Sequence, residues 1–270
     1  MSSDQMSLGD RMKMYERHET ARSLLEGLPI VMRLDGRCFH TFTRGLAKPY
    51  DIRMSTIMQD VARQLLTFSK AVIVYTQSDE ITAILYNGGH ESQTMFNGEV
   101  FKLTSIMAGF VSAAFNKLLP ERIPEKARAT PVFDCRVFVV PSLSEAANCL
   151  VWRQIDAKRN SIEAAAHAVF SHKELHKKDT KTMLAMLNDA DIYWENYPPF
   201  FRHGVYYRST VVQRKLTVEE LSRLPEKHNA RTNPDLVFSR PEIAELDMYL
   251  PQVSNKTGVV FGKEEPCHDE

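Results

Sequence analysis

Between residues 29 and 141 the chain changes its hydrophobic period several times, and each change marks an element. Pro29-Ile-Val-Met-Arg-Leu-Asp35-Gly36 is a short apolar run that stops at an Asp-Gly pair, so it predicts a strand followed by a turn. Ile57, Met58, Val61, Ala62, Leu65 and Leu66 recur at three- and four-residue intervals, which predicts an amphipathic helix capped by Ser55. Two strand-like runs follow at 71–76 and 81–86. Only Gln77-Ser78-Asp79-Glu80 separates them, the spacing of a hairpin. Val100, Leu103, Met107, Phe110, Val111 and Ala114 mark a second long helix over 99–118, broken at Pro120 and Pro124. A strand over 132–140, closed by Pro141, completes the order β-α-β-β-α-β.

That order is the ferredoxin-like split βαβ pattern, an α+β fold. Before it, residues 10–26 carry mixed charge with Tyr15, Leu24 and Leu25 and predict a helix. After it come predicted helices at about 144–157 and 160–171, a polar connector and a further strand over 205–212. The tail after Pro234 reads as irregular.

Composition narrows the class. Hydrophobic residues make up 43% of the 270, enough for a packed core. Lys+Arg and Asp+Glu both number 34, which excludes a polybasic binder but not a nucleic-acid enzyme whose charges are sorted onto different faces. No apolar run approaches the ~18–20 residues of a membrane helix, and the first 20 residues lack a signal-peptide core, so a soluble, cytoplasmic protein is expected. Cys38, Cys135, Cys149 and Cys267 form no C-x-x-C pair, and free thiols are expected in place of disulfides or a zinc site.

The topology brings two carboxylates together. In the predicted fold the third strand lies antiparallel beside the first, so the end of one meets the start of the other. Asp35 stands at the first position and Asp79 just before the second. Neighbouring strands are ~4.8 Å apart, which lets both carboxylates hold one pair of divalent ions ~3.5–4 Å apart. Oxygen ligands of this kind suit Mg²⁺, with substrate phosphates completing the coordination. Glu80 alternates away from Asp79 and is expected to support the site from behind. Arg37, His40 and Lys48 are the cations available to neutralise a triphosphate. Taken singly, Asp35-Gly36 and Asp79-Glu80 are ordinary turn sequences; the pairing across adjacent strand ends carries the functional reading.

As a set, Arg33-Leu-Asp-Gly-Arg-Cys-Phe-His40, Lys48-Pro49, Gln77-Ser-Asp-Glu80, Phe133-Asp-Cys-Arg136 and Trp152-Arg-Gln-Ile-Asp156 resemble the tRNA(His) guanylyltransferase family over roughly residues 10–212. The resemblance implies a polymerase-type palm over 1–142 with its N-terminal helix, and a helical extension over 143–270 packed on it within the same structural domain. It implies two Mg²⁺ ions on Asp35, the Gly36 carbonyl and Asp79. Asp35, Asp79 and Glu80 would be the catalytic acids, and Asp35, Gly36, Arg37, Cys38, Phe39, His40, Lys48, Ser78 and Asp79 would line the nucleotide. Family chemistry activates a 5′-monophosphorylated RNA with ATP, and the 3′-OH of an incoming nucleotide such as GTP then attacks the activated end. Arg136, Arg153, Lys158, Arg159, Asn160 and Arg202, with His203, are candidates for the RNA 5′ end. The implied partners are tRNA and nucleoside triphosphates, and the implied assembly is a homotetramer, a dimer of dimers.

One departure from the family pattern bears on activity. Lys158-Arg159-Asn160-Ser161 stands where the eukaryotic enzymes have His-Ile-Asn-Asn, which resembles the like-protein branch that repairs 5′-truncated tRNAs against a template. As plain sequence, Asn160 and Glu163 read as a capping box at a helix start. The stretch 173–181 reads as a solvated charged run, and Tyr193, Trp194, Tyr197, Phe200 and Phe201 as core or interface packing. Three alternatives stay open: untemplated addition of G to tRNA(His), a two-metal nucleotidyl cyclase on the same fold, and a non-catalytic RNA-binding descendant. The retained acids oppose the last, and the basic positions oppose the cyclase.

Overall fold

Alternating residues of the central strands are buried on both faces, which is why those strands read as nearly continuous apolar runs. The computed structural model describes residues 6–86, 88, 94–224, 233 and 236–262. Among them, strands β1 (Ile30–Gly36), β2 (Ile73–Gln77), β3 (Glu80–Leu85), β4 (Phe133–Val139), β5 (Val205–Lys215) and β6 (Val237–Leu246) form one sheet. Its order is β4-β1-β3-β2-β5-β6, with every hydrogen-bonded pair antiparallel. The first four strands therefore have the ferredoxin-like arrangement expected of a palm.

The described helices are α1 (Leu8–Thr20), α2 (Phe39–Phe42), α3 (Ile52–Ser69), α4 (Val100–Arg122) and α5 (Leu143–Val169). They continue with α6 (His172–Leu175), α7 (Thr180–Asp189), α8 (Pro199–Arg202), α9 (Val218–Arg223) and α10 (Lys256–Phe261). Helices α3 and α4 cover one face of the sheet, where Met32, Leu34, Ile57, Leu65, Met107 and Phe115 form the largest core. On the other face α5 buries Ala146, Ala147 and Leu150 against Val31, Ile73, Tyr75, Ile84 and Tyr206. The C-terminal half of α5 packs a third cluster with Leu175, Met183, Leu187, Trp194 and Phe201. Trp194 and Phe201 are thus core residues, Tyr197 and Phe200 pack against them, and Tyr193 is exposed.

Several boundaries differ from expectation, each for a local reason. Helix α3 starts three residues before Ser55, because the Asp51 carboxylate caps it by accepting the Arg53 amide, while the Ser55 hydroxyl bonds back to the Asp51 carbonyl. Helix α4 runs through Pro120. A proline in the last turn removes one amide, yet the Ile123 amide still reaches the Leu119 carbonyl at 2.8 Å and ends the helix beyond it. The two helices expected at 144–157 and 160–171 are one, α5, capped by Ser142. Asn160 is therefore not a helix start, and the Ser161 hydroxyl lies 2.9 Å from both the Lys158 and Arg202 carbonyls. Helix α1 ends at Thr20 and buries no residue. The run 173–181 divides between α6, closed by a Ser171–Glu174 capping box, and the Asp179 cap of α7.

The larger correction concerns the tail. Residues 237–246 are strand β6, paired with β5 from Tyr206↔Leu246 to Lys215↔Val237, so β5 also runs past the expected 212. Pro241 sits inside that strand and disguises it, and it is tolerated because β6 is an edge. Cys38, Cys135 and Cys149 are free thiols, and burial pushes Cys135 up to about 12. Cys267 lies outside the described residues.

Asp51 gives the fold a measurable pH dependence. It is buried, and its carboxylate accepts Nε and Nη2 of Arg53 at 3.0 and 2.7 Å as well as the Arg53 and Ala47 amides. The Arg53 guanidinium is the main cause that lowers its pKa from 3.8 to about 2. A folded pKa below the unfolded one stabilises fully above the unfolded value and is lost as pH falls through the folded one. Asp51→Asn keeps an oxygen for the cap but removes the charge. We expect a cost of about 2 kcal/mol at neutral pH that shrinks from about pH 4 downward and closes near pH 2, read by urea unfolding across that range.

Candidate active site

Three carboxyl side chains stand in one row at the C-terminal end of β1. Asp35 is in register with Glu80 on β3 and with Asp134 on β4, and residues in register share a face. Asp79 joins them from the β2–β3 turn. Its carbonyl accepts the Gly36 amide at 3.1 Å, which ties the end of β1 to the start of β3 through backbone. Ser78 makes the turn at φ 54° and donates its hydroxyl to Asp79 at 3.0 Å.

The acids have unequal surroundings. Glu80 accepts Nε and Nη2 of Arg153 at 2.5 and 2.7 Å, and Asp156 takes another nitrogen of the same guanidinium at 3.1 Å. Asp35 and Asp79 have no ion pair among the described residues. Burial lifts the Asp79 pKa from 3.8 to about 6; the Asp35 and Glu80 charges add to the rise and the Ser78 hydroxyl opposes it. Burial also raises Glu80, against the pull of Arg153. A carboxyl that resists ionisation beside two others is short of a neutralising cation. The donors left over are hard oxygens, the set that suits Mg²⁺. Among the described residues no three Asp, Glu, His or Cys side chains form a complete cage, so an ion here would draw its other ligands from the Gly36 carbonyl, water and phosphate.

Past Gly36 the chain turns sharply. The Arg37 amide donates to the Val132 carbonyl at 2.9 Å, Cys38 takes the left-handed conformation at φ 57°, and α2 begins. Phe39 anchors this loop, its ring centre 5.0 Å from those of Phe42 and Phe133 and 5.6 Å from that of Phe115. A Cβ on Gly36 would stand 2.3 Å from the Phe39 ring, so only glycine fits. Arg37, Cys38 and His40 are left exposed beside the acids.

Two clefts meet at these acids. One is shallow and is lined by Asp35, Gly36, Cys38, Phe39, His40, Ser78 and Asp79. The other encloses about 400 Å³ and runs from Asp35, Ser78, Asp79 and Glu80 past Lys48, Tyr50 and Asp51 to Asn160, Ser161, His167 and Phe201. Arg37 lines neither. The wall formed by Tyr50, Asp51, Ser161 and His167 was not anticipated from sequence. Only Asp51 carried a readable signal, as a cap residue just before an apolar helix.

The profile described as Thg1, tRNAHis guanylyltransferase, matches residues 9–141. The solved structure of a bacterial tRNA(His) guanylyltransferase-like protein in complex with ATP is 35% identical, covers 76% of this chain and 87% of its own, and has a TM-score of 0.71. The chain belongs to the tRNA(His) guanylyltransferase family. A second bacterial structure of a guanylyltransferase-like protein, in complex with GTP, is 27% identical with a TM-score of 0.70, and covers 94% of this chain and 99% of its own. The Saccharomyces cerevisiae tRNA(His) guanylyltransferase is 26% identical over 69% of this chain and 84% of its own length. An uncharacterized protein of Acanthamoeba polyphaga mimivirus is 29% identical over 76% and 78% respectively. The family is one of nucleotidyltransferases.

In this member of the family the basic residues predicted for RNA fall into distinct surroundings. Arg153 is committed to Glu80 and Asp156, and Arg159 pairs with Asp156. Arg136 is exposed on β4 and reaches Asp134 at 3.2 Å. Lys158 and Arg202 have no carboxylate among the described residues; both lie over the Trp194 ring, at 5.4 and 5.5 Å, and the Arg202 Nε is buried without a hydrogen bond. Beside them His203 is buried, 3.4 Å from Asp247, its pKa lowered by that burial and by the Arg202 charge. Asn160 lines the larger cleft.

The Arg153–Glu80 pair is only 12% and 16% exposed, so removing one partner strands a buried charge. Arg153→Ala should cost about 3 kcal/mol or more in chemical unfolding. The double variant Glu80→Leu/Arg153→Met should recover most of it. Equal losses in both would mean that the pair contributes packing alone.

Proposed function

We propose that this chain adds nucleotides to the 5′ end of tRNA in the 3′→5′ direction, after activating that end with ATP or GTP. The meeting of two clefts at Asp35 and Asp79 is the observation that carries the reading, because transfer between two phosphorylated substrates needs one site for each and acids where they join. The bacterial relatives solved with ATP and with GTP support the nucleotide half, and the tRNA(His) guanylyltransferases among the relatives support the RNA half.

Asp35, Asp79 and the Gly36 carbonyl would hold two Mg²⁺ ions, which when bound supply charge neutralisation at the reacting phosphate and a more acidic attacking hydroxyl. The 36–40 turn offers backbone amides, and Arg37, His40 and Lys48 offer positive charge, to the triphosphate of the incoming nucleotide. Arg153 neutralises Glu80 in the row beside Asp35, which leaves Asp35 and Asp79 as the acids available for metal. Lys158 and Arg202, lacking carboxylates, are free for the 5′ phosphates of the RNA, with Arg159 and Asn160 on the same helix as Lys158 and Arg136 on β4 as a separate RNA contact. In this reading 1–142 is the palm and 143–270 an extension on it, acting as a homotetramer in the cytoplasm. The Lys158-Arg159-Asn160-Ser161 sequence supports template-directed repair over untemplated G addition.

Asp35→Asn and Asp79→Asn should each lower nucleotide addition by about a thousandfold or more while the thermal melt is kept, since neither side chain packs in the core. Retention of a tenth of the activity by either variant would remove the two-metal assignment. With a tRNA lacking its first nucleotide, we expect the added base to follow a switched template base opposite it. Addition of G regardless would place the protein with the untemplated enzymes.

A further inference from the structure

Arg33 and Trp152 belong to the sequence motifs above, and the proposed reaction gives neither a task. Arg33 on β1 stands directly opposite Arg136 on β4. Like charges facing each other across an antiparallel pair destabilise a sheet, with Cβ atoms only ~4.5–5.5 Å apart. Asp134 relieves Arg136 at 3.2 Å. Arg33 makes no ion pair among the described residues, although Glu80 lies near enough to feel its charge, and its Nε is buried without a hydrogen-bond partner. A desolvated guanidinium nitrogen left unpaired is costly unless an acceptor arrives.

Against Arg33 lies Trp152 of α5. The Arg33 and Arg153 guanidiniums sit 5.3 and 4.6 Å from its ring centre, yet the residue is 50% exposed. Ile155, one turn further along α5, and Phe138, two residues from Arg136 on β4, extend the open apolar surface. Arg33 also precedes Asp35 by two positions on β1, so it shares the face of the acids about 6.6 Å away along the strand.

We infer that this face holds an unpaired nucleotide of the RNA substrate, its phosphate bridging Arg33 and Arg136 and its base stacked on Trp152. The inference rests on the reading that the chain works on an RNA end. A phosphate supplies both the acceptor that Arg33 lacks and the negative charge that opposed arginines require. An acidic peptide would meet the charge but leave the indole unused, whereas a base occupies it. Stacking accepts any base, so the site needs no particular RNA sequence. The row of Asp134, Asp35 and Glu80 bounds the site on its catalytic side and keeps a second phosphate out of it.

Trp152 and Trp194 are the two tryptophans of the chain, and since buried Trp194 also fluoresces beneath Lys158 and Arg202, the Trp152 signal is read as the difference between wild type and Trp152→Phe. Titrating the full chain with a 5′-phosphorylated single-stranded RNA oligonucleotide should quench that fluorescence to saturation. Trp152→Phe should remove that part of the quench and stay within about threefold of wild-type affinity, because phenylalanine still stacks, while Trp152→Ala should weaken binding roughly tenfold. The double variant Arg33→Ala/Arg136→Ala should lower the slope of log affinity against log salt by about 0.7, one phosphate contact, and neither single variant should lower it by more. Affinity for GTP without RNA controls for folding and should be unchanged in the Trp152 variants.

Absence of quenching, or equal losses in Trp152→Phe and Trp152→Ala, would overturn the site. So would a smaller assembly on sedimentation of Trp152→Ala with RNA affinity intact, which would give this face to a second copy of the chain. Wild-type protein that quenches through Trp152 but adds no nucleotide would sink the catalytic reading and leave this site standing. Nucleotide addition with none of these RNA effects would do the reverse.

Discussion

The register of β1 between β3 and β4 is the constraint on which the site depends. It sets Asp134, Asp35 and Glu80 side by side, and the Gly36–Asp79 backbone bond brings in a fourth acid. Side chains alternate along a strand, so a slip of one residue would turn Asp35 into the α3–α4 core and Leu34 out of it. The buried runs on that face, Met32 and Leu34 among them, make such a slip expensive. Hydrophobic packing therefore enforces a juxtaposition that electrostatics alone would disperse. Arg153 neutralises one acid of the set, and the deficit that remains falls on Asp35 and Asp79.

Helix α5 carries the second half of that arrangement. Because it is unbroken over Leu143–Val169, Arg153 at Glu80, Lys158 over Trp194, and Asn160 and Ser161 at the cleft are rigidly spaced on one element. Gln154 fixes its neighbours: buried completely, it donates to the His203 and Met248 carbonyls and accepts from the Tyr206 hydroxyl and the Leu250 amide. The Tyr75 hydroxyl also donates to the His203 carbonyl at 2.8 Å, and Gly204 at φ 80° lets the Tyr75 ring approach where a Cβ would meet it at 2.5 Å. A buried amide with all its bonds made is a strong local constraint. It holds the Arg202–His203 corner, so Lys158 and Arg202 keep a fixed separation from the acids.

The βαββαβ core was legible in the sequence because each of its elements buries a continuous apolar stripe, and period alone identifies those. The meeting of the end of β1 with the β2–β3 turn was legible for the same reason, but the register puts Glu80, not Asp79, directly opposite Asp35, so Glu80 does not alternate away as expected. What escaped depends on contacts that no local pattern encodes. Asn160 and Ser161 look like a cap, but the buried neighbours Ala157, Ile162, Ala165 and Ala166 carry the helix through them. Strand β6 buries no residue fully and carries Pro241 with Arg240, Glu242 and Glu245, so its pairing with β5 is what makes it a strand. Glu80 and Arg153 are 73 residues apart, and neither announces the other.

A chain with equal numbers of acids and bases can still be far from neutral at every point that matters. Most exposed ion pairs here are local, as in Arg214–Glu220 and Arg240–Glu242, and such pairs contribute little to stability. The unbalanced groups are the informative ones. Asp35 and Asp79 lack cations, while Arg33, Lys158 and Arg202 make no ion pair among the described residues, and all five lie around the end of β1 or along α5. Pairing them with one another would have stabilised the free protein. Held apart by the fold, they leave the acids open to a cation and the basic groups open to an anion, so the charges left uncompensated in the free protein suit a ligand that carries both signs.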